Sequence, residues 1–353
     1  MDAFYLKRAV ELAGQRRGFC APNPAVGALL VRDGRVLQEG FHLAAGQPHA
    51  EVEVLKDLTP SECAGATLYV SLEPCCHYGK TPPCTDLILA KHITDVVYAY
   101  RDPNPVVAGR GEEALLRSGV RVRWMPIAEA TQFYESYAHW TQTRLPFTTV
   151  KLAMSLDGKT AGPAGVPLSL TGPQANRLTH ESRLRSDAIL TTARTVLADN
   201  PRLNARLHGV ETAKPVIILD RLGRTPPTSR IFQAAQSVTI FTSHDVPDER
   251  RAALLALGAE VITLETPQGL LPLRHILGSL GERGYHDVWV EGGPALFTAF
   301  LKERLANKAL LYIAPLVVGD GVSAFEGPWH ELLSLARVNW TAQGRDVMAE
   351  VVW

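Results

Sequence analysis

Two stretches decide the fold of the N-terminal part: Pro48-His49-Ala50-Glu51 and Glu73-Pro74-Cys75-Cys76-His77-Tyr78-Gly79-Lys80-Thr81-Pro82-Pro83-Cys84. The first lies at a predicted helix start, and the second is predicted to form a loop that ends at the start of another helix. One imidazole and two thiolates would hold a zinc ion and leave its fourth position for water, which is the open arrangement of a catalytic zinc site. The two stretches therefore predict a metal centre on an α/β framework.

The acidic residue beside the imidazole predicts the chemistry of this centre. Glu51 follows His49 by two residues, so it can reach the same cavity without binding the metal. Zinc acidifies water, and Glu51 would take the proton and pass it to a ring nitrogen and to leaving ammonia. A His-x-Glu segment with a Pro-Cys segment is typical of nucleobase deaminases. The hypothesis is therefore a hydrolytic deaminase of a small aminopyrimidine or purine-like ring.

The identity of the ligands remains open on spacing alone. Nucleobase deaminases have a Cys-x-x-Cys spacing, whereas eight residues separate Cys75 from Cys84 here. Cys76 and His77 are therefore rival ligands. A closed four-ligand zinc site and a set of ordinary core cysteines are alternatives, but neither calls for Glu51 next to the imidazole.

Length and composition indicate an enzyme of two domains. The chain has 353 residues, of which 46% are hydrophobic and 20% charged, and chains of this length usually divide into domains. Lys7, Arg8 and Glu11 interrupt the first apolar stretch, so no signal peptide is expected, and we expect a cytoplasmic location without a membrane partner. Five cysteines without an export signal favour metal binding or catalysis over disulfides.

The charge balance disfavours a nucleic-acid partner. The chain has 36 basic and 36 acidic residues, with 15 and 16 of them up to Leu145 and 21 and 20 beyond it. Affinity for a phosphate backbone comes mainly from lysine and arginine. Balanced charge thus counts against an editing deaminase that acts on nucleic acid, and Glu51 in an open site counts against a zinc-stabilised binding protein without catalysis.

Short alternating helices and strands predict a three-layer α/β domain in the N-terminal part. The predicted elements are a helix capped by Asp2 that runs to about Arg16, a hairpin turning at Arg32-Asp33-Gly34-Arg35, a helix near His49, a strand from Ala66 to Leu72, a helix near Cys84, a strand from Asp95 to Tyr100, a helix from Gly111 to Ser118, a strand from Val120 to Trp124, and one helix rich in aromatics that includes Phe133, Tyr134, Tyr137 and Trp140.

A polar segment from Thr141 to Pro146 marks the predicted boundary between domains 1–145 and 146–353. Beyond it the sequence alternates again and predicts a second α/β domain. Its predicted strands are Phe147 to Ala153, Ala188 to Thr191, Val216 to Asp220, Val238 to Thr242, Val261 to Leu264, Val288 to Glu291 and Leu310 to Ala314.

These motifs resemble the bifunctional deaminase-reductase of bacterial riboflavin biosynthesis, where the long Pro-Cys to Pro-Pro-Cys spacing is normal. The resemblance extends over almost the whole chain. Its further motifs are Ala21-Pro22-Asn23-Pro24-x-Val26-Gly27, Gly40-Phe41-His42, Arg101-Asp102-Pro103-Asn104-Pro105, Lys151-Leu152-Ala153-Met154-Ser155-Leu156-Asp157-Gly158-Lys159-Thr160-Ala161, Thr195-Val196-Leu197-Ala198-Asp199-Asn200-Pro201-x-Leu203 and Val290-Glu291-Gly292-Gly293-Pro294.

For the first domain, 1–145, the resemblance implies a cytidine-deaminase-like fold and a zinc-dependent pyrimidine deaminase. It selects His49, Cys75 and Cys84 as zinc ligands and Glu51 as the catalytic residue. The substrate would be a diamino-hydroxy-pyrimidine with a phosphoribosylamino arm. The residues that match the family's substrate positions are Asn23, His42, Lys80, Asp102 and Asn104.

For the second domain, 146–353, the resemblance implies a dihydrofolate-reductase-like fold. This domain would reduce the ribose of the deaminated product to a ribityl chain with NADPH. A helix beginning at Pro294 would present its N-terminal amides to a pyrophosphate. The matching substrate positions are Lys151, Arg183, Leu203, Arg206 and Glu291, and the matching cofactor positions are Ala153, Thr195, Asp199, Gly292, Gly293 and Pro294.

The match fails at one place in the reductase half. Alignment on Thr171 places Pro167 where the family has a serine and Ser169 where it has a tryptophan. A deaminase with an altered or inactive reductase-like domain is therefore an alternative.

Arg221 and Arg224 follow a predicted strand and are candidates for pairing with the 2′-phosphate of NADPH. Family members form homo-oligomers, and we expect the same here.

Overall fold

The computed structural model describes residues 1–78, 82–325 and 336–353. Within these ranges the chain divides into two units, one formed by Met1–Leu145 with Gly281–His286 and the other by Pro146–Leu280 with Asp287–Trp353. A helix long and apolar enough to cross a membrane does not occur in the described ranges.

The first unit alternates short helices with strands. Its helices are α1 Asp2–Gly14, α2 Ala50–Leu55, α3 Pro60–Cys63, α4 Cys84–Ala90, α5 Arg110–Arg117, α6 Ala128–Phe133 and α7 Glu135–Thr143. Its strands are β1 Gly27–Arg32, β2 Arg35–Phe41, β3 Thr67–Leu72, β4 Asp95–Tyr100 and β5 Arg121–Trp124.

These five strands form one sheet in the order β2-β1-β3-β4-β5, in which β3, β4 and β5 are parallel. Successive side chains of a strand face opposite sides of a sheet. Leu68 and Val70 accordingly enter the core that α2, α3, α4 and α5 cover, whereas Leu29 and Tyr69 enter a separate core covered by α1, α6 and α7. Two helical layers enclose the sheet, as the three-layer prediction requires.

Local signals account for the hairpin but not for the start of α1. Asp33 and Gly34 both have positive φ, 52° and 77°, as a tight hairpin turn requires. Asp2 is not the cap of α1, contrary to the prediction, because Met1 is the N-cap. The Asp2 carboxylate instead accepts hydrogen bonds from the Tyr69 hydroxyl at 2.7 Å and from Arg123 Nη1 at 2.5 Å. Tertiary partners outweigh the local cap at this position.

The single aromatic-rich helix of the prediction is in fact two helices, α6 and α7, which meet at Tyr134. The Tyr134 hydroxyl lies in the core, 2.7 Å from the Ser71 hydroxyl and 3.0 Å from the Ala25 carbonyl oxygen to which it donates. Contacts of this kind depend on residues far away in sequence, so helical periodicity does not reveal them.

The second unit is a larger α/β domain. Its helices are α8 Pro173–Arg185, α9 Ala193–Asp199, α10 Ile231–Ala234, α11 Asp248–Ala256, α12 Leu273–Glu282 and α13 Pro294–Lys302. Its strands are β6 Phe147–Ser155, β7 Lys159–Ala161, β8 Ala188–Thr192, β9 Ala205–Leu207, β10 Val210–Thr212, β11 Pro215–Leu219, β12 Ser237–Ser243, β13 Glu260–Leu264, β14 Asp287–Glu291, β15 Lys308–Ala314, β16 Val322–Ser323, β17 Arg337–Gln343 and β18 Asp346–Val352.

Nine of these strands form one sheet in the order β13-β12-β11-β8-β14-β6-β15-β18-β17. The strands from β13 to β15 are parallel, and β18 and β17 continue the sheet in antiparallel fashion. All seven strands predicted for this half are present. In a parallel sheet the carboxyl ends of the strands lie at one edge, and ligands bind in the crevice outside that edge. This edge is therefore the place to look for a cofactor site.

Candidate active sites

The structure brings one imidazole and two thiols together in the first unit. His49 is the N-cap of α2, Cys84 is the first residue of α4, and Cys75 lies in the loop after β3. His49 Nδ1 is 3.3 Å from Cys84 Sγ and 3.5 Å from Cys75 Sγ. Cys76 and His77, the rival ligands on spacing, are not part of this cluster.

The donor set fits a single zinc ion. The candidate ligand atoms of His49, Cys75 and Cys84 all lie within 4.8 Å of one another. Nitrogen and sulfur ligands of a tetrahedral zinc ion lie roughly 3.5 Å apart, close to the two distances above. Hydrogen bonding with the Cys84 thiol lowers the pKa of Cys75, which favours the thiolate form that binds a metal. A soft, partly ionised set of three donors suits zinc with one position left open.

Glu51 lies against this cluster in the first turn of α2 and is only 3% exposed. Burial, followed by the negative charge of Cys75, raises the pKa of Glu51 to about 7. Glu51 is therefore a buried carboxyl next to the metal ligands, not one of the three clustered donors.

A second histidine connects the cluster to the predicted substrate residues. His42 is buried, and its ring centroid is 5.4 Å from that of His49. His42 Nδ1 lies 2.9 Å from the Pro48 carbonyl oxygen, and Nε2 lies 3.2 Å from Asn23 Nδ2. Burial lowers the pKa of His42, so the ring is neutral, with Nδ1 donating to Pro48 and Nε2 accepting from Asn23. This arrangement fixes the orientation of both side chains.

The other predicted substrate residues lie in the loop after β4. Asp102 is buried, and its Oδ1 accepts from the Asn104 backbone N–H at 2.8 Å and from the Tyr137 hydroxyl at 3.2 Å. Burial raises the pKa of Asp102 to about 6. Asn104 Oδ1 accepts from the backbone N–H of Val106 at 3.1 Å. Lys80, the remaining prediction for this site, lies outside the described residues.

Glu73 is a buried residue of this region that sequence reasoning missed. It is 3% exposed and accepts four backbone hydrogen bonds through its carboxylate. The sequence contained only a weak signal for it, an acidic residue directly after a buried strand. An acidic residue at such a place is normally solvated, so nothing local identifies its donors.

The second unit has a cavity of about 1120 Å³ at the carboxyl ends of β6, β8, β11 and β14. All of the predicted cofactor residues lie on its wall, together with two of the predicted substrate residues. They are Lys151, Ala153, Thr195, Asp199, Glu291, Gly292, Gly293 and Pro294. Helix α13 begins at this wall, with Gly293 as its N-cap and Pro294 as its first residue, so its amides are available to an anion.

The predicted substrate residues Arg183, Leu203 and Arg206 are not among the lining residues of this cavity. Arg183 is buried and uses its guanidinium internally: Nε and Nη2 donate to Glu291 at 2.5 and 2.8 Å, and Nη1 donates to the Asn204 carbonyl oxygen at 3.1 Å. Leu203 is buried with a positive φ of 49°, which is strained for this residue type. Arg206 is exposed, with Nη1 2.6 Å from Asn204 Oδ1.

The pair of Arg183 and Glu291 sets the charge at the cavity wall. Burial acts to raise the pKa of Glu291, but the attraction of Arg183 and its hydrogen bonds outweigh this effect and bring the pKa to about 2. Trp289 Nε1 donates a further hydrogen bond to Glu291 at 2.6 Å. Burial lowers the pKa of the neighbouring Lys151. Glu291 is thus a fixed carboxylate, held by buried partners, beside a lysine.

The two residues at which the family match fails also line the cavity. Pro167 and Ser169 are exposed on its wall, with Leu168 and Leu170 beside them. Leu168 is 42% exposed, whereas Leu170 is 5% exposed. Among the described residues none of those that line the cavity is aromatic, and Leu168 is an apolar side chain that remains accessible on this part of the wall.

The fold and the two sites define a two-domain enzyme with a zinc-binding deaminase centre and a separate nucleotide-type cavity. Comparisons with known proteins agree with this class. Residues 1–100 match the model of the cytidine and deoxycytidylate deaminase zinc-binding region, and residues 146–349 match that of the RibD C-terminal domain. The chain therefore belongs to the RibD family of riboflavin biosynthesis proteins.

Relatives support this assignment along nearly the whole chain. The riboflavin biosynthesis protein RibD of Aquifex aeolicus is 36% identical over 324 residues, which cover 92% of this chain and 89% of that protein. RibD of Escherichia coli is 36% identical over 336 residues, 90% and 89% of the two chains. The structure of Acinetobacter baumannii RibD has a TM-score of 0.86 at 33% identity and covers 99% of this chain and 98% of that one.

A Thermotoga maritima structure has the same TM-score at 32% identity and the same coverage. It is described as a diaminohydroxyphosphoribosylaminopyrimidine deaminase/5-amino-6-(5-phosphoribosylamino)uracil reductase. The predicted fold class, a cytidine-deaminase-like domain followed by a dihydrofolate-reductase-like domain, is confirmed. The protein is a bifunctional enzyme of riboflavin biosynthesis whose deaminase domain binds zinc and whose reductase domain uses NADPH.

Proposed function

We propose that residues 1–145 deaminate a diaminohydroxypyrimidine that carries a phosphoribosylamino arm, and that residues 146–353 reduce the ribosyl group of the product to ribityl with NADPH. The observation that carries the proposal is the cluster of His49, Cys75 and Cys84 with Glu51 buried beside it. The Thermotoga maritima relative, with the same two-domain architecture, has these substrates in its name.

In the deaminase centre, His49, Cys75 and Cys84 would hold the zinc ion. When bound, zinc supplies a Lewis acid that makes water a nucleophile near neutral pH. Glu51 would take a proton from the attacking water at a carboxylate oxygen and return it to the ring nitrogen, and the second proton of that water would leave with the departing amino group as ammonia. Water thus replaces ammonia at one ring carbon, and a carbonyl remains.

The substrate is held by polar groups around this centre. Asn23 and His42 fix each other's orientation through their hydrogen bond, and the loop of Asp102 and Asn104 supplies further donors and acceptors for the pyrimidine and the sugar. Lys80 supplies a positive charge for the phosphate. A small polar substrate also agrees with the balanced charge of both halves, which counts against a nucleic-acid substrate.

In the reductase cavity, Gly292, Gly293 and Pro294 would receive the cofactor's pyrophosphate at the start of α13. Ala153, Thr195 and Asp199 would contact the rest of the cofactor. NADPH supplies the reducing equivalents, and the protein's share is to orient the two reactants. Lys151 and Glu291 face the reacting ribose in this proposal. Arg183 would act through Glu291, while Leu203 and Arg206 would bind the far end of the substrate.

Incubation of the purified zinc-loaded protein with the phosphoribosylated diaminopyrimidine tests both steps by mass spectrometry. Without NADPH the product should show replacement of an amino group by oxygen, and with NADPH it should in addition gain two hydrogens. If the protein deaminates the substrate but does not oxidise NADPH with the deaminated product, the proposed deamination is supported and the proposed reduction is contradicted. We further propose that the enzyme works in the cytoplasm and forms a homo-oligomer. Sedimentation of the purified protein would test the oligomeric state.

Replacing Ser169 by tryptophan is expected to strengthen binding in the reductase cavity. An aromatic ring over a nicotinamide or a pyrimidine adds buried area and about 0.5 to 1.5 kcal/mol of stacking. Because Ser169 lies exposed on the wall, S169W should lower KM for cofactor or substrate by roughly two- to tenfold. S169A is the matched control and should leave both KM values unchanged. Equal KM values in S169W and wild type would contradict the proposed place of this residue.

Arg221 and Arg224 are expected to select NADPH over NADH. Both line the cavity after β11. The carboxylate of Asp220 accepts from the backbone N–H groups of Arg224 at 2.9 Å and Thr225 at 2.7 Å, so it is engaged within its own loop. An acidic residue that is free to bind ribose hydroxyls favours NADH, whereas arginines accommodate a 2′-phosphate.

Arg224→Gln should therefore raise KM for NADPH about tenfold, the size of one lost charge-assisted hydrogen bond, and leave KM for NADH nearly unchanged. Arg274→Gln, on the exposed side of α12 and away from the cavity wall, is the matched control. A parallel rise of KM for both cofactors in R224Q would show that this arginine does not read the 2′-phosphate.

A further inference from the structure

The carboxylate of Glu73 lies where the metal-ligand loop leaves the sheet. Glu73 directly follows β3 and precedes Cys75 by two residues. Its backbone N–H continues the strand pairing by donating to the Tyr100 carbonyl oxygen at 2.9 Å. The sheet thus fixes the backbone of Glu73, and hydrogen bonds from neighbouring amides fix its side chain.

Four backbone N–H groups of one neighbouring segment donate to the Glu73 carboxylate. Oε2 accepts from Asp102 at 3.3 Å and Gly109 at 3.0 Å, and Oε1 accepts from Gly111 at 3.1 Å and Glu112 at 3.3 Å. An ionised carboxylate has about four acceptor sites and no donor. The side chain therefore uses its full hydrogen-bonding capacity on the segment from Asp102 to Glu112.

This segment includes the start of α5, where Glu73 replaces the missing cap. The N-cap of α5 is Gly109, which has no side chain to cap the helix, and the first helical amides are left for an outside acceptor. A negative charge is favoured at a helix N-terminus. The approach is close, because a Cβ on Gly111 would lie 2.0 Å from the Pro74 carbonyl oxygen. Glycine is the residue that lets the helix start pack directly on Glu73 and Pro74.

A chain of hydrogen bonds connects Glu73 to the proposed substrate residues. Glu73 binds the backbone of Asp102, whose side chain in turn accepts from the backbone of Asn104. At its other end Glu73 is joined by two peptide units to Cys75, whose sulfur lies 3.5 Å from His49 Nδ1. One carboxylate thus connects the metal-ligand loop to the loop of Asp102 and Asn104.

We propose that Glu73 is a positioning residue for deamination, which holds the loop of Asp102 and Asn104 in register with the centre of His49, Cys75 and Cys84. It acts through these residues and contacts neither the substrate nor the metal. The inference rests on the proposed function, since it requires that Asp102 and Asn104 bind the substrate.

Glu73→Gln in the full-length, zinc-loaded protein tests this role. Glutamine keeps the shape but presents one acceptor oxygen and an NH₂ group to four N–H donors. We expect KM for the phosphoribosylated diaminopyrimidine to rise by about tenfold or more, with kcat changed by less than threefold and zinc still bound. Hydrogen exchange at the amides of residues 102–112 should become faster. Reductase kinetics of the same preparation should equal those of wild type.

Glu113→Gln is the matched control, because Glu113 lies on α5 and pairs with Arg117 on the surface. It should behave like wild type in every assay. A double-mutant cycle with Asn104→Ala separates positioning from general stability: if Glu73 acts through the loop, E73Q should add little to the rise in KM that N104A already causes. Additive effects would overturn the proposal.

Other outcomes are equally decisive. Loss of zinc from a folded E73Q, or an unchanged KM with unchanged hydrogen exchange, would overturn the proposal. Should E73Q not fold, Glu73→Asp decides, because it keeps the charge but is shorter by one methylene: a raised KM with retained kcat supports positioning, and an unchanged KM overturns it. If wild type does not deaminate this substrate, the proposed function fails and the inference with it; if wild type does and E73Q matches it, only the inference fails.

Discussion

Glu51→Gln is expected to keep its zinc and its fold and to lose deamination by at least about a hundredfold, the usual contribution of a general acid-base residue. Glutamine fills the same buried space, where Glu51 is 3% exposed, but it cannot accept and return a proton. The measurement is ammonia release from the phosphoribosylated diaminopyrimidine, together with zinc content and circular dichroism of the same sample.

Glu53→Gln is the matched control for this experiment. Glu53 is on the same helix, and its carboxylate pairs with Lys56 Nζ at 2.7 Å near the surface. E53Q should release ammonia at the wild-type rate. Near-normal ammonia release from E51Q would contradict the proton-carrying role, and loss of zinc from E51Q would indicate that Glu51 is a ligand.

Cys84→Ser is expected to remove the zinc ion, whereas Cys76→Ser should retain it. A serine hydroxyl is a far weaker ligand than a thiolate for a soft or borderline metal, and Cys84 is one of the three clustered donors. We expect about one zinc per chain in wild type and C76S, and close to none in C84S, by elemental analysis of dialysed protein.

The two cysteine variants control for each other, since each removes one thiol from the same loop region. Deamination should follow zinc content, because the chemistry depends on the metal, while reduction of the deaminated product in the other domain should persist in C84S. Zinc retained in C84S but lost in C76S would reverse the ligand assignment and place Cys76 at the metal.

Local sequence signals predicted much of the fold, because each signal reflects the backbone conformation or the burial that its own short segment prefers. The Asp33-Gly34 turn, the helix start at His49 and the apolar strands of the second half follow from backbone and burial preferences. On spacing alone Cys76 and His77 were rival ligands, and the family resemblance selected His49, Cys75 and Cys84. The folded loop brings these three donors together and leaves Cys76 and His77 outside the cluster.

Features that depend on distant partners could not be predicted in this way. The donors to Glu73 lie 29 to 39 residues further along the chain, and Arg183 is 108 residues from Glu291. The family resemblance gave Arg183 as a substrate residue, which stays a prediction, but its hydrogen bonds to Glu291 and Asn204 could not be predicted from the sequence. For the same reason the break between α6 and α7 at Tyr134 was missed.

The two separate cores of the first unit have a consequence for how this enzyme can diverge. Two of the metal ligands, His49 and Cys84, lie at the starts of α2 and α4, which pack in one core, whereas Tyr137, which donates to Asp102, belongs to the other. Substitutions in distant, independent sites have nearly additive effects. In the proposed function Tyr137 holds Asp102 in place for the substrate, so drift in the layer of α1, α6 and α7 can change substrate binding over evolutionary time while the residues packed around α2 and α4 stay the same.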